Sequence, residues 1–277
     1  MRTTRRAGVA LAAALAAGLP LGAQGVVLEL RPHAGDTIRM RLMQQVAMTG
    51  TMRMGVADST TTVVTVLRAL TRAVVERSDA GGTVLATTAD SVELSSTGGH
   101  RGRAAGLGAH TQATLRGRVV RLRVAPDGAT EVLDEAGLSP GLRAFFSQMP
   151  ATLPRGPVAV GARWTRTMDM PAPGAPRAGA VSATFRLDSL SRGDALAHIS
   201  MRGVVVRRAA AAAPSTAMRV AGDGEIVGSI VVDRRRGWLS NARTVLTVRS
   251  TLTPRGASGA PLHFRMRVDE WLQAVER

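Results

Sequence analysis

The five histidines are the first residues to consider for chemistry, because imidazole serves both in acid–base catalysis and as a metal ligand. They are His33, His100, His110, His198 and His263. His100 and His110 share a glycine-rich stretch, but ten residues separate them and no third ligand follows at a metal-binding spacing. The sequence has no Gly-x-Ser-x-Gly motif, and the absence of lysine excludes Ser-x-x-Lys. These patterns predict no catalytic residue, no metal site and no cofactor.

Methionine sulfur is the second candidate for chemistry, because thioethers are soft ligands that suit Cu(I). The densest group comprises Met40, Met43, Met48, Met52 and Met54. Methionine also fills irregular spaces in apolar cores. Because the residues around Met40 alternate as in a strand, we expect these side chains to serve the core.

Two Asp-Gly pairs, Asp127-Gly128 and Asp223-Gly224, resemble fragments of calcium-binding loops. Neither is followed by the remaining oxygen ligands at the required spacing, so both are predicted to be turns. The tripeptide Arg192-Gly193-Asp194 matches an adhesion motif, but its place between two predicted strands favours a hairpin turn.

The N-terminal 25 residues have the pattern of a secretory signal peptide. Three arginines, at positions 2, 5 and 6, precede the acid-free apolar run 7–21. That run is shorter than the roughly 18 residues that a membrane-spanning helix needs. Cleavage is expected after Ala23 or Gly25, and the absence of cysteine excludes an acylated lipoprotein. We therefore expect a periplasmic or secreted protein with no transmembrane segment in the mature chain.

The charge of the chain is strongly positive, with a formal net charge of +16 at pH 7. All the basic residues are arginines, and they are scattered along predicted strands rather than clustered. With four Phe, three Trp and no Tyr, few aromatic rings are available to stack on bases. Composition thus argues against a nucleic-acid partner, whereas an anionic component of the cell envelope requires only the charge.

Period-two alternation is the main structural signal. Ile38, Met40 and Leu42 alternate with arginines, and Leu262, Phe264, Met266 and Val268 alternate with His263, Arg265 and Arg267. This spacing predicts half-buried strands with the apolar residues facing inward. Further Thr- and Val-rich runs separated by turn residues predict several antiparallel hairpins.

One helix is predicted over residues 139–149, where Ser139-Pro140 supplies the N-cap and first position. Leu142, Phe145, Phe146 and Met149 recur at helical spacing, so we expect this face to pack on the concave side of the sheet. The predicted class is mainly β (α+β): a large curved antiparallel sheet or an open half barrel with that helix.

The segment 154–164 is predicted to join two halves of a single β-rich domain that spans residues 26–277. The halves, 26–153 and 154–277, follow a similar plan of glycine, apolar strand and Asp-to-Gly turn. Trp164 ends the joining segment and opens the strands of the second half. Together with the four apolar residues of the helix, it forms the predicted hydrophobic ligand-binding set.

The chain resembles exported bacterial proteins of unknown function whose fold is akin to the LolA/LppX-type periplasmic lipoprotein carriers. The resemblance rests on the signal peptide, the hairpins 117–132 and 224–239, and the segment Pro157-Val-Ala-Val-Gly-Ala-Arg-Trp164. It implies a curved sheet that holds a lipid or a lipoprotein acyl chain, and it transfers no catalytic residue.

Three functional hypotheses follow. The first is a non-enzymatic protein that binds a lipid, an acyl group or another hydrophobic ligand in the concave face. The second is a structural or interaction module of the cell envelope that uses its basic surface and sheet edges. The third is a hydrolase without a recognisable motif, assembled from scattered Asp, Glu and His.

Overall fold

The computed structural model describes residues 25–54, 57–98, 117–134, 152–172, 175–206, 218–254 and 261–275. Within these residues the chain forms eleven β-strands and no helix. The strands are β1 Thr37–Met54, β2 Ala57–Asp79, β3 Gly82–Gly98, β4 Val119–Val124, β5 Thr130–Val132, β6 Arg163–Ala172, β7 Ala175–Ser191, β8 Leu196–Val206, β9 Met218–Asp233, β10 Trp238–Pro254 and β11 Leu262–Ala274.

All eleven strands belong to one antiparallel sheet with the order β5-β4-β3-β2-β1-β11-β10-β9-β8-β7-β6. Strands that are consecutive in the sequence pair with each other, except β5 and β6, and the pairing of β1 with β11 joins the first and last strands at the centre of the sheet. The edge strands β5 and β6 do not pair, so the sheet is not closed into a barrel. The expected antiparallel sheet is confirmed, but the α+β class is wrong, because the described chain is all-β. The predicted helix 139–149 lies outside the described residues.

The register separates two faces of the sheet. On what we call the inner face, Met40 of β1 is buried and Leu42 is half-buried, while Arg39 and Arg41 on the opposite, outer face are exposed. The burial of β11 alternates in the same way along the stretch that begins at Leu262. The predicted inward residues of both strands are therefore confirmed, as period-two geometry requires.

The sheet curves around its inner face. Inner-face residues of β2 and β3, such as Val75 and Leu85, share one buried cluster with Phe185 of β7 and Ile230 of β9. These strands lie on opposite flanks of the sheet, so they can reach a common core only if the flanks fold toward each other. We call the end where they meet, which carries the turns 125–129 and 234–237, the closed end.

Two extended segments, and no described helix, fill the concavity at the closed end. Residues 25–36 contribute Leu28 and Leu30, which are 2% and 4% exposed, and residues 152–162 contribute Leu153, which is fully buried. The two segments pair through hydrogen bonds in both directions between Val26 and Val158. Extended segments can do this because the turns around them supply partners for their backbone groups; Leu30 N, for example, donates to Pro126 O at 2.9 Å.

Glycines allow neighbouring strands to approach closely on the inner face. A Cβ atom at Gly203 of β8 would lie 2.6 Å from Ser182 O, and one at Gly224 of β9 would lie 2.6 Å from Val205 Cγ2. A Cβ atom at Gly228 would lie 2.9 Å from Met201 Cε. Glycine within a strand marks such close approaches and sharp bends of a sheet.

Turn predictions had mixed outcomes. Asp127-Gly128 forms the β4–β5 turn, where Gly128 has a φ of 95°. Arg192, Gly193 and Asp194 form the β7–β8 turn, all with positive φ. The prediction for Asp223-Gly224 was wrong: both residues lie inside β9, where their backbone pairs with Arg249 and Val248 of β10.

Candidate functional site

Away from the closed end, the inner face presents a broad apolar surface on the central strands. Val46 of β1, Val268 of β11 and Leu246 of β10 form one row across three strands, and Met48, Met266 and Val248 form the next. All six side chains are half-buried or exposed; Met48, for example, is 43% exposed. Among the described residues, the buried second layer is supplied by Leu28, Leu30 and Leu153 at the closed end. The central surface is therefore a candidate hydrophobic site.

An aromatic ring extends this surface toward the far end of the sheet. Phe264 of β11 lies opposite Gly50 of β1, and a Cβ atom at Gly50 would be 3.2 Å from the ring atom Cε1. The ring therefore lies over the glycine and remains half-buried. On the other side of β1, Leu67 of β2 and its register partner Leu94 of β3 continue the apolar lining. The surface thus spans at least five strands.

A polar pair on β1 and β11 interrupts the apolar face. Gln44 of β1 donates from Nε2 to Oε2 of Glu270 in β11 at 2.9 Å, and both side chains are half-buried. Their row lies between the apolar rows of Leu42 and Val46. Glu270 makes no second side-chain hydrogen bond within the described residues. Its other oxygen can accept a hydrogen bond from a bound molecule. Both residues continue the inward alternation just beyond the two predicted strands, and sequence reasoning missed this signal.

Trp164 is the one predicted ligand-binding residue whose surroundings are described. Its indole Nε1 donates to Thr152 O at 2.8 Å, and its ring stacks on Phe185 with centroids 5.8 Å apart and planes at 10°. The half-buried side chain packs against the closed-end core. Trp164 therefore anchors residues 152–153 to β6 and β7. The other four predicted residues, Leu142, Phe145, Phe146 and Met149, lie outside the described residues.

Candidate catalytic and metal-binding groups do not converge in the described part of the chain. No group of three or more His, Asp or Glu side chains there is arranged to hold a metal ion. His198 lies 2.8 Å from Ser191 Oγ, and His263 lies 3.1 Å from Thr251 Oγ1. In each case the hydroxyl belongs to the neighbouring strand. His100 and His110 lie outside the described residues. Met40 and Met43 cannot share a metal ion, because Met40 is buried on the inner face and Met43 is 40% exposed on the outer face.

A small cavity of about 290 Å³ lies at the closed end. Its lining combines Ile38 and Trp238 with the charged residues Asp36, Asp233 and Arg236. Ligand pockets generally occupy about 300–1,000 Å³ with mostly apolar linings. The volume and the charges make this cavity a poorer site for a hydrophobic ligand than the central inner face.

No protein-family model and no curated protein matches this chain. Among solved structures, one of lipovitellin, reported for its lipid–protein interactions, aligns with 88% of this chain at 9% identity and a TM-score of 0.50. The aligned part is 25% of that lipovitellin chain. At this identity the likeness concerns the fold alone.

Two further structures align at lower TM-scores and support no inference. DynF from the dynemicin pathway of Micromonospora chersina aligns with 94% of this chain and 92% of its own at 10% identity, with a TM-score of 0.18. An outer membrane channel from Pseudomonas putida F1 aligns with 92% and 99% at 9% identity, with a TM-score of 0.23. None of these three structures is a LolA/LppX-type carrier. In the described residues, no helix has the length and apolar character to cross a membrane.

Proposed function

We propose that this chain is an exported, non-enzymatic protein that binds a lipid, an acyl chain or another hydrophobic ligand on the inner face of its curved sheet. The observation that carries the proposal is the half-buried apolar surface centred on Val46, Val268 and Leu246. Removing apolar surface from water is favourable by roughly 25 cal/mol for each Å² that is covered. A ligand with a hydrocarbon chain recovers that free energy when it covers the surface.

The fold supports the same proposal. The lipovitellin structure concerns lipid–protein interactions, and a quarter of that chain aligns with 88% of this one. The N-terminal 25 residues support export, and export places the protein where envelope lipids are accessible. The predicted LolA/LppX-like role, carriage of a lipoprotein acyl chain, is one form of this function.

The Gln44–Glu270 pair indicates what else the ligand carries. An acyl chain alone would leave the half-buried Glu270 carboxylate without a further partner, and such a group is costly to desolvate. A ligand whose polar end includes a hydroxyl, an amide or an amine can donate to the carboxylate. We therefore expect amphiphiles with a donor group to bind more tightly than simple alkanes.

Native mass spectrometry and titration with a fluorescent fatty acyl probe test the proposal. The test variant is Val268→Glu, which places a charge at the centre of the inner face. The matched control is Val227→Glu, because Val227 is 43% exposed on the outer face. We expect the native protein and the Val227→Glu variant to bind the probe, and Val268→Glu to bind at least ten-fold more weakly.

A milder variant guards against misfolding. Val268→Thr preserves the side-chain shape and adds one hydroxyl, so the sheet should form with an unchanged circular dichroism spectrum and probe affinity should fall several-fold. Repeated spectra without a co-purified amphiphile, together with no probe binding by the native protein, would refute the proposal.

A second candidate function is favoured by the outer face. Many arginines project from it, and Arg39, Arg41, Arg202 and Arg243 are exposed there. An exposed basic face suits attachment to an anionic envelope component. In that case a pull-down should survive moderate salt while no lipid is found on the inner face.

A further inference from the structure

Two arginines of neighbouring strands lie directly opposite each other on the outer face. Arg249 of β10 is the register partner of Arg265 of β11, and both side chains are exposed. Like charges at directly opposite positions destabilise a sheet. Within the described residues neither guanidinium has a carboxylate within ion-pair distance. An anion that bridges the two would remove the repulsion.

The contrast with the next arginine on the same strand is informative. Arg267 of β11 also lies on the outer face, and its Nε is 2.7 Å from Oδ2 of Asp269. Several other outer-face arginines are likewise paired, for example Arg72 with Asp90 at 3.3 Å and Arg121 with Glu76 at 3.0 Å. The protein thus neutralises many outer-face arginines with its own carboxylates. Arg249, whose register partner on β9 is Asp223, and Arg265 form no ion pair within the described residues.

Hydroxyl and imidazole groups surround the arginine pair in one open groove of about 700 Å³. Thr49 of β1 lies beside Arg265, and the next row brings together Thr51, His263 and Thr251. The threonine pairs Thr49–Thr62 and Thr51–Thr60 each have oxygens 3.1 Å apart. In each pair one hydroxyl donates to the other, so one O–H remains able to donate to a ligand.

We infer that this groove binds a phosphate group. Guanidinium groups hold phosphate oxygens through paired hydrogen bonds, and two adjacent guanidiniums match the charge of a phosphate monoester. Asp223 lines the β9 side of the groove, so the phosphate lies toward Arg265, His263 and Thr51, away from that carboxylate. The groove has room for more than the anion, so a phosphate at the head of a larger amphiphile also fits.

The inference concerns the outer face and does not depend on a ligand on the inner face. Calorimetric titration of the full chain with inorganic phosphate, and flotation with vesicles of phosphatidylcholine with or without phosphatidylglycerol, test it. The test variant is Arg249→Gln with Arg265→Gln. The matched control is Arg163→Gln with Arg186→Gln, which removes the same charge from two exposed arginines that lie opposite each other on the outer face of β6 and β7.

We expect the groove variant to bind at least ten-fold more weakly and the control to change by less than two-fold. Arg265→Lys, which retains the charge but loses the planar fork, should bind several-fold more weakly. Loss of inorganic phosphate binding assigns the groove to a soluble phosphate, and loss of phosphatidylglycerol-dependent flotation alone assigns it to a lipid head group. Equal weakening in the two double variants, or no binding of either probe by the native protein, would overturn the inference.

Discussion

Asp127 and Arg166 connect the two free edges of the sheet. Asp127 lies in the turn between β4 and the edge strand β5, whereas Arg166 lies on the opposite edge strand β6, and their side chains approach to 3.8 Å. Arg166 also donates to Leu153 O, and Asp127 O accepts from the amides of Thr152 and Leu153. The sheet is open in its strand pairing, yet its edges are joined at the closed end through residues 152–153.

This arrangement predicts unequal effects for two arginines that share one carboxylate. Arg166 and Asp127 are 19% and 15% exposed, whereas Arg155, which lies 3.5 Å from the same Asp127, is 82% exposed. Arg166→Ala should lower the free energy of unfolding by about 2 kcal/mol, because the Leu153 carbonyl loses its donor and the half-buried Asp127 keeps only the exposed Arg155 as an ion-pair partner. Arg155→Ala should cost less than about 0.5 kcal/mol. Urea denaturation measures both, and equal costs would show that the edges are not held by Arg166.

Trp164 should be one of the larger single contributors to stability. Trp164→Ala removes the stacking on Phe185 and the hydrogen bond to Thr152 O, and we expect a loss of about 3 kcal/mol. Trp164→Phe retains a ring over Phe185 and loses only the donor, so its cost should be about 1 kcal/mol. The comparison is made by urea denaturation followed by far-ultraviolet circular dichroism. A loss under about 1 kcal/mol for the alanine variant would reduce residues 154–164 to a surface linker.

The inner-face glycines predict a position-dependent effect of one added methyl group. Gly203→Ala places Cβ 2.6 Å from Ser182 O and 2.8 Å from Ala183 Cα, so strands β7 and β8 must move apart. We expect a cost of about 1–3 kcal/mol. Gly156→Ala is the control, because its Cβ meets no atom within 4 Å, and it should be neutral or slightly stabilising. Equal melting temperatures for the two variants would contradict the close approach at Gly203.

The Gln44–Glu270 pair predicts non-additive substitutions. Gln44→Leu alone leaves the Glu270 carboxylate on an apolar face without its donor and should cost about 1 kcal/mol. Gln44→Leu combined with Glu270→Leu replaces both partners with apolar groups and should be close to neutral. A double-mutant cycle in urea isolates the interaction. If the two single costs simply add, the hydrogen bond has no part in holding β1 to β11.

Asp269 predicts a contribution to stability that depends on pH. The hydrogen bond from Arg267 is the main cause that lowers the pKa of Asp269 below its usual value. A carboxyl group with a lower pKa in the folded state stabilises the protein above its unfolded pKa of about 3.9, and that stability is lost as the pH falls through the folded value. With Asp269→Asn, the free energy of unfolding should therefore fall by less when the pH is lowered from 6 to 2. Arg267→Gln should reduce the same pH dependence. If the free energy of unfolding depends on pH in both variants as it does in the native protein, this assignment is contradicted.

The sequence by itself determined the local features of this protein. Alternating Ile38, Met40 and Leu42 were enough to predict a strand and its inward side, because side chains in a strand project to opposite faces with a period of two. Asp127-Gly128 likewise predicted its hairpin, because a turn with positive φ favours glycine. The prediction failed at Asp223-Gly224, where an inner-face glycine serves close strand packing rather than a turn.

Only the tertiary structure decided which distant residues meet. Gln44 and Glu270 are 226 positions apart, and no local pattern records that β1 pairs with β11. The same holds for the segments 25–36 and 152–162, whose apolar residues fill the concavity where a helix was expected. Their position depends on turn carbonyls and amides that converge only after the sheet has curved. Local periodicity specifies each strand, whereas the curvature of the whole sheet specifies what its inner face can hold.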